Sequence, residues 1–154
     1  INNNSDAFLI EKFSDLEHYD LNHKSILLAV GVRHLQEAFN FARRSGAIVY
    51  ARVLANPESI RKTLSSSIPK TNFAVLNPSV SSNGIIEEAL VRKWNIDGVI
   101  CRQSGGRNEI LWHRICLRMN INLWMLKRPY EFKNLNSIDS YEKLIKRLQA
   151  INME

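Results

Sequence analysis

Residues 25–30 read Ser-Ile-Leu-Leu-Ala-Val, and after Ser25 the run has no polar residue to turn toward water. A strand that covers one side of a core alternates apolar and polar positions. A continuous apolar run instead suits a strand buried on both faces, the situation in a parallel sheet held between two layers of helices. Similar runs return at 47–54, interrupted by Arg52, and at 73–76, 98–101 and 122–126. Apolar residues at helical spacing lie between them: Leu35, Ala38, Phe39 and Ala42, then Ile86, Ala89, Leu90 and Trp94, then Ile110, Leu111, Trp112, Ile115, Cys116 and Met119. Ser45-Gly46 is a helix stop, and Asn56-Pro57 a helix start with proline in the first turn. Tyr141, Leu144, Ile145 and Leu148 trace a closing amphipathic helix. Strands alternating with helices predict right-handed crossovers. The fold class expected is α/β, a Rossmann-like three-layer domain with a mainly parallel sheet of about five strands. It is expected over residues 25–154, after an N-terminal lead-in at 1–24.

With 154 residues and 45% hydrophobic composition, the chain is long enough for one core of its own. No stretch approaches the roughly 20 apolar residues of a spanning helix. The first residues, INNNSDAFLIEKF, lack the charged head, apolar run and cleavage site of a secretory signal. Cys101 and Cys116 read as two buried thiols of a cytoplasmic protein. His113 lies one helical turn from Cys116, but no further ligand pattern supports a metal. The net charge of +6 suits an anionic partner. No run of five or six basic residues and no RNA-binding signature appears, so nucleic acid is not the favoured partner. The chain starts at Ile1 and not at Met, as expected of a piece of a longer protein.

In a parallel α/β sheet ligands gather at the carboxyl ends of the strands. Gly31, Asn56, Asn77, Arg102 and Lys127 sit at or just past those ends. The most suggestive junction is VICRQSGGRNE, residues 99–109. Glycine there permits a tight turn and close approach of a ligand to the backbone. The helix that follows would offer unpaired N–H groups and a positive dipole end to an anion. The spacing is neither GxGxxG nor a P-loop, so on spacing alone a plain glycine turn with a serine cap is the favoured reading. Gly31-Val32-Arg33-His34 forms a second such junction. Arg33, Arg52, Arg102, Lys127 and Arg128 bring positive charge to the same edge, as carboxylate- or phosphate-pairing groups or as ordinary surface charge. Glu109 and His113 are spaced to pair on a helix surface.

The order ILLAVGVRHLQEAF, IVYARVL, a proline loop, a helix with paired Glu, WNIDGVICRQSGG and NLWMLKRP resembles the C-terminal half of the precorrin-6A reductase family, over residues 9 to 130. That resemblance implies a two-domain, NADPH-dependent oxidoreductase that reduces a macrocycle double bond in cobalamin (corrin) biosynthesis. Its partners would be a polycarboxylate tetrapyrrole substrate and an N-terminal NADPH-binding half of the same protein. By motif match, Arg102, Ser104, Gly105, Gly106 and Arg107 are expected on the cofactor, and Gly31, Arg33, Arg52 and Arg128 on the substrate. No residue is assigned as catalytic. Arg102 stands where the family has Lys. Asn77-Pro78-Ser79 replaces a GPF-type motif, and a Lys of the family's next helix is missing near Leu111-Trp112. The isolated fragment is expected to be inactive. The rival reading is a non-catalytic anion- or nucleotide-binding module on the same fold, and a third is an interaction domain with a basic surface.

Overall fold

In the computed structural model, which describes residues 7–76 and 84–128, six strands form one parallel sheet. They are β1 (Ala7–Ile10), β2 (Ser25–Ala29), β3 (Ile48–Leu54), β4 (Phe73–Leu76), β5 (Gly98–Arg102) and β6 (Asn122–Leu126), in the spatial order β1-β6-β5-β2-β3-β4. The helices are α1 (Val32–Arg44), α2 (Pro57–Leu64), α3 (Ile85–Lys93) and α4 (Arg107–Met119), and a short 3-10 helix (Phe13–His18) follows β1. None of the described helices is long and apolar enough to cross a membrane.

The apolar runs are continuous because alternate residues feed two different cores. Ile26, Leu28, Val49, Ala51, Ile100 and Trp124 pack on one face with the α1 stripe Leu35, Ala38, Phe39 and Ala42. Leu27, Ala29, Val99, Cys101, Leu123 and Met125 pack on the other face with Val91 of α3 and Trp112, Ile115 and Cys116 of α4. The chain steps outward from β2 to β3 and β4, then returns to β5 and β6 on the opposite side. The winding therefore reverses between β2 and β5. Asp97 fastens the far end of that pair: its N–H donates to the Ser25 carbonyl (2.7 Å), and its carboxylate accepts from the Ser25 N–H (2.8 Å).

The structure adds a sixth strand to the expected sheet. Ala7–Ile10, within the segment read as a lead-in, pairs in parallel with β6, Ala7 opposite Leu123 and Ile10 opposite Leu126. Only Ile10 of this short edge strand is buried, which is why its sequence carries little strand signal. The α3 stripe is also rotated from the expected one. Ala89 is exposed, whereas Glu88 is buried, bonded to Arg92 (3.3 Å) and to the guanidinium of Arg118. A carboxylate enters the helix interface because two arginines from α3 and α4 meet it there, an exception to the rule that Glu stays outside. Ile110, expected on the inner face of α4, is 62% exposed. The loop at 77–83 and the closing helix at Tyr141–Leu148 lie outside the described residues.

Gly98 opens β5 against Trp124, whose ring is held by Phe8 (centroids 5.8 Å) and Tyr19 (5.7 Å). A Cβ at Gly98 would collide with that indole and lie 3.3 Å from the Asn122 carbonyl. Gly98→Ala is therefore expected to cost about 2 kcal/mol by overpacking, seen as a lower urea midpoint. An unchanged midpoint would mean that Trp124 can give way.

Candidate functional site at the strand ends

The reversal between β2 and β5 leaves a crevice at their carboxyl ends, because the segments leaving them depart to opposite faces of the sheet. Gly31 follows β2 and caps α1 without a side chain, in ordinary extended backbone (φ −67, ψ 160). Arg102 ends β5, and residues 103–106 lead into α4, capped by Gly106. The two glycine junctions singled out in the sequence thus flank one crevice.

The Ser-Gly-Gly turn is closed from within. Glu109, in the first turn of α4, accepts from the N–H groups of both Ser104 (3.0 Å) and Gly105 (2.7 Å). Ser104 Oγ accepts from the Gly106 N–H (3.2 Å). The loop amides just before the helix N–H groups expected to meet an anion therefore already face a carboxylate of the same helix. Glu109 has this role in place of the surface pairing with His113 considered from spacing. Gly105 has φ +74, where an L side chain is strained, so this glycine is required by the turn. Arg128, just beyond β6, braces the loop: its N–H donates to Gln103 Oε1 (3.0 Å) and its Nη2 to the Ser104 carbonyl (3.1 Å).

The basic residues differ in setting. Arg33 and Arg107 are exposed, and Arg102 is half-buried. Lys127 is an exposed partner of Glu11 (3.3 Å). Arg52 projects from β3 over the Trp112 ring (5.7 Å to the centroid), on the face that carries α3 and α4. It lines a cleft of about 220 Å³ together with Gly31, Ser59 and Asn108. Arg102, Ser104, Gly105, Gly106, Arg107 and Arg128 thus gather at the tips of β5 and β6, and Gly31 and Arg52 at the tips of β2 and β3. Burial and the charges of Arg102 and Arg33 hold His34 below its ordinary pKa, so its imidazole stays neutral beside two guanidinium groups. Burial pushes both the Cys101 and Cys116 thiols up to about 12, which leaves neither reactive near neutrality.

Sequence reasoning missed Glu109 as the acceptor of the loop amides and Asn108 as a wall of the cleft. A carboxylate three residues after a cap glycine was the available signal for the first.

Gly31 and Gly106 have no need of glycine for the fold. Both lie in extended backbone, an added Cβ at Gly31 would meet nothing within 4 Å, and one at Gly106 would meet only Ser104 Oγ at 3.9 Å. Space kept empty beside backbone on both sides of a crevice fits the approach of a flat or phosphorylated ligand such as a dinucleotide.

This is a doubly wound α/β domain with a basic crevice at its switch point, the arrangement by which many oxidoreductases and nucleotide binders hold ligands. The chain belongs to the precorrin-6x reductase CbiJ/CobK family, whose model matches residues 2–149. It is 28% identical over 110 residues to a cobalt-precorrin-6A reductase of Synechocystis sp. (strain ATCC 27184 / PCC 6803 / Kazusa), a match covering 71% of this chain and 41% of that protein. A solved CobK precorrin-6A reductase superposes with a TM-score of 0.59 at 12% identity, over 84% of this chain and 50% of the other. The chain thus spans about half the length of the relatives it matches.

Two expectations follow from this geometry. Gly105→Ala should lower stability by about 1 kcal/mol, while Gly31→Ala and Gly106→Ala should stay within about 0.5 kcal/mol of wild type. Equal losses at all three positions in urea unfolding would mean that the fold itself uses every glycine. His34 sets a pH dependence. Its folded pKa lies below the ordinary 6.5, so its contribution is complete above that pH and is lost as the pH falls through the folded value. Stability should decline below about pH 6.5, and His34→Gln should flatten that limb. Asp15 is depressed from 3.8 and so enters only at still lower pH. A variant with the wild-type slope would remove His34 as the cause.

Proposed function

We propose that this chain is the C-terminal half of a precorrin-6A reductase-type oxidoreductase, acting in NADPH-dependent reduction of a macrocycle double bond in cobalamin biosynthesis. The observation that carries the reading is the family match over residues 2–149, together with a crevice whose two flanking junctions are the motifs that define the resemblance. The other half of the protein would complete the crevice and supply most of the nucleotide site. When bound, the nicotinamide supplies the hydride. The work of this chain is to bind, orient and exclude water.

Each residue has a part in that scheme. Gly31 and Gly106 leave backbone surface open to the ligand. Arg102 and Arg107 draw carboxylates or phosphates to the β5 tip, and Arg33 does so at the β2 tip. Arg128 fixes the loop through the Ser104 carbonyl. His34, kept neutral between Arg33 and Arg102, adds no further positive charge at neutral pH. One feature favours the second reading, a non-catalytic anion-binding module: Glu109 already takes the two loop amides that a phosphate would use.

Titration of the protein with NADPH and with a carboxylated tetrapyrrole tests the proposal. Both should bind, and Arg102→Ala with Ser104→Ala should weaken at least one of them by about tenfold, the effect of losing one charge-assisted hydrogen bond. Binding of simple anions with no preference for either compound would support the module. Binding of both ligands unaffected by the substitutions would remove the β5 tip from the site.

A further inference from the structure

Among the described residues, a charged group with a buried, unpartnered atom lies not in the Ser-Gly-Gly turn but on β3. Arg52 carries a charge into the interface between the sheet and the α3–α4 layer. Its Nε is buried and has no hydrogen-bond partner. An aromatic face and a thiol give such a charge little of what water would. Among the described residues, the groups that face it are Trp112 of α4, Cys101 of β5 and Glu87 of α3, with Ser59 and Asn108 across the cleft. Glu87 is the natural internal counter-ion, and its field acts on Arg52. The two form no ion pair, however, and Glu87 Oε1 is itself buried without a partner. Among the described residues the fold therefore keeps two opposite charges near each other without an ion pair, each with one buried atom unpartnered.

The cleft in front of Arg52 suggests what completes it. Its volume of about 220 Å³ falls short of the roughly 300–1,000 Å³ of whole small-molecule sites. A macrocycle cannot enter, whereas one peripheral group of a larger ligand can. Gly31 forms one wall with nothing standing where its Cβ would be. The opening lies at the tips of β2 and β3, beside the crevice described above. The Ser104 and Gly105 amides are closed to anions by Glu109, whereas Arg52 lines the cleft with a buried Nε that has no partner among the described residues.

We propose that Arg52 is the anchor of a one-group oxyanion subsite, in which its guanidinium, backed by the Trp112 ring, receives a single carboxylate or phosphate that enters between Gly31 and Asn108. This rests on the reading of the strand-end crevice as the ligand site and names the group that enters its β2–β3 side. An arginine presents a planar fork suited to a two-oxygen acceptor, and stacking on an indole holds that fork in place. The oxyanion could come from a carboxylate of the tetrapyrrole or a phosphate of the cofactor.

The experiment compares wild type with Arg52→Met, Arg52→Lys and Gly31→Ala. The probes are inorganic phosphate, NADPH, an octacarboxylic porphyrin and its octamethyl ester. Arg52→Met should fold, because replacing a buried charge with an apolar group of similar volume is often neutral or stabilising. Gly31→Ala changes only the wall and provides a variant in which the guanidinium stays intact. The expected result is at least a tenfold loss of affinity in Arg52→Met, a partial loss in Arg52→Lys and a loss in Gly31→Ala. If the losses fall on phosphate and NADPH, the cofactor supplies the oxyanion. If they fall on the porphyrin acid, which should also bind more tightly than its ester, the substrate does. If wild type binds these probes and Arg52→Met binds them equally, Arg52 is only an internal charge in the field of Glu87; the subsite is then overturned while the proposed function stands. If wild type binds none of them, both fail.

Discussion

The pairing of β2 with β5 is the constraint on which the rest of the molecule depends. These strands are neighbours in space and far apart in sequence, and between them the winding changes direction. The register Leu28 opposite Ile100, with Asp97 and Ser25 tied at the far end, sets where Gly31 and Arg102 stand relative to each other. Helices leaving the two strands go to opposite faces, so the space between their first residues cannot be filled by either one. The crevice is thus a consequence of topology, and what the side chains add is its charge.

That charge is distributed with some economy. The Ser-Gly-Gly turn looks like an anion cradle, yet Glu109 satisfies it internally and Arg128 braces it from outside. A turn closed this way has its amides satisfied from within, and it projects Arg102 and Arg107 instead of presenting bare amides. At the neighbouring tips the balance is the reverse. Arg52 is half-buried with its Nε buried and unpartnered, and Gly31 leaves its wall open. One side of the crevice has its amides satisfied from within, and the other holds a buried guanidinium nitrogen without a partner among the described residues.

Most of the frame was legible in the sequence because it follows from period and continuity. The double-faced run Ile26-Leu27-Leu28-Ala29 can be buried only in the middle of a three-layer domain, and α1 shows its four buried residues at textual spacing i, i+3, i+4 and i+7. The strand β1 escaped because an edge strand of four residues with one buried side chain has almost no periodicity to read. The stripe of α3 was misplaced because Glu88 is buried by two arginines, one of them thirty positions away, a contact that no local pattern encodes. The glycines of the site were legible as a motif, but not which of them the backbone needs. Gly105 holds a left-handed turn while Gly31 and Gly106 hold open space, and only dihedral angles separate those roles.

Hydrogen–deuterium exchange with a carboxylated tetrapyrrole, with and without NADPH, addresses the central claim most directly: that the switch-point crevice is the ligand site of this family member. The expected result is slowed exchange confined to two stretches remote in sequence, residues 31–34 after β2 and 102–109 after β5. Protection on the outer face of α4, around Leu117, or at the opposite ends of the strands, around Ser25 and Asp97, would contradict it.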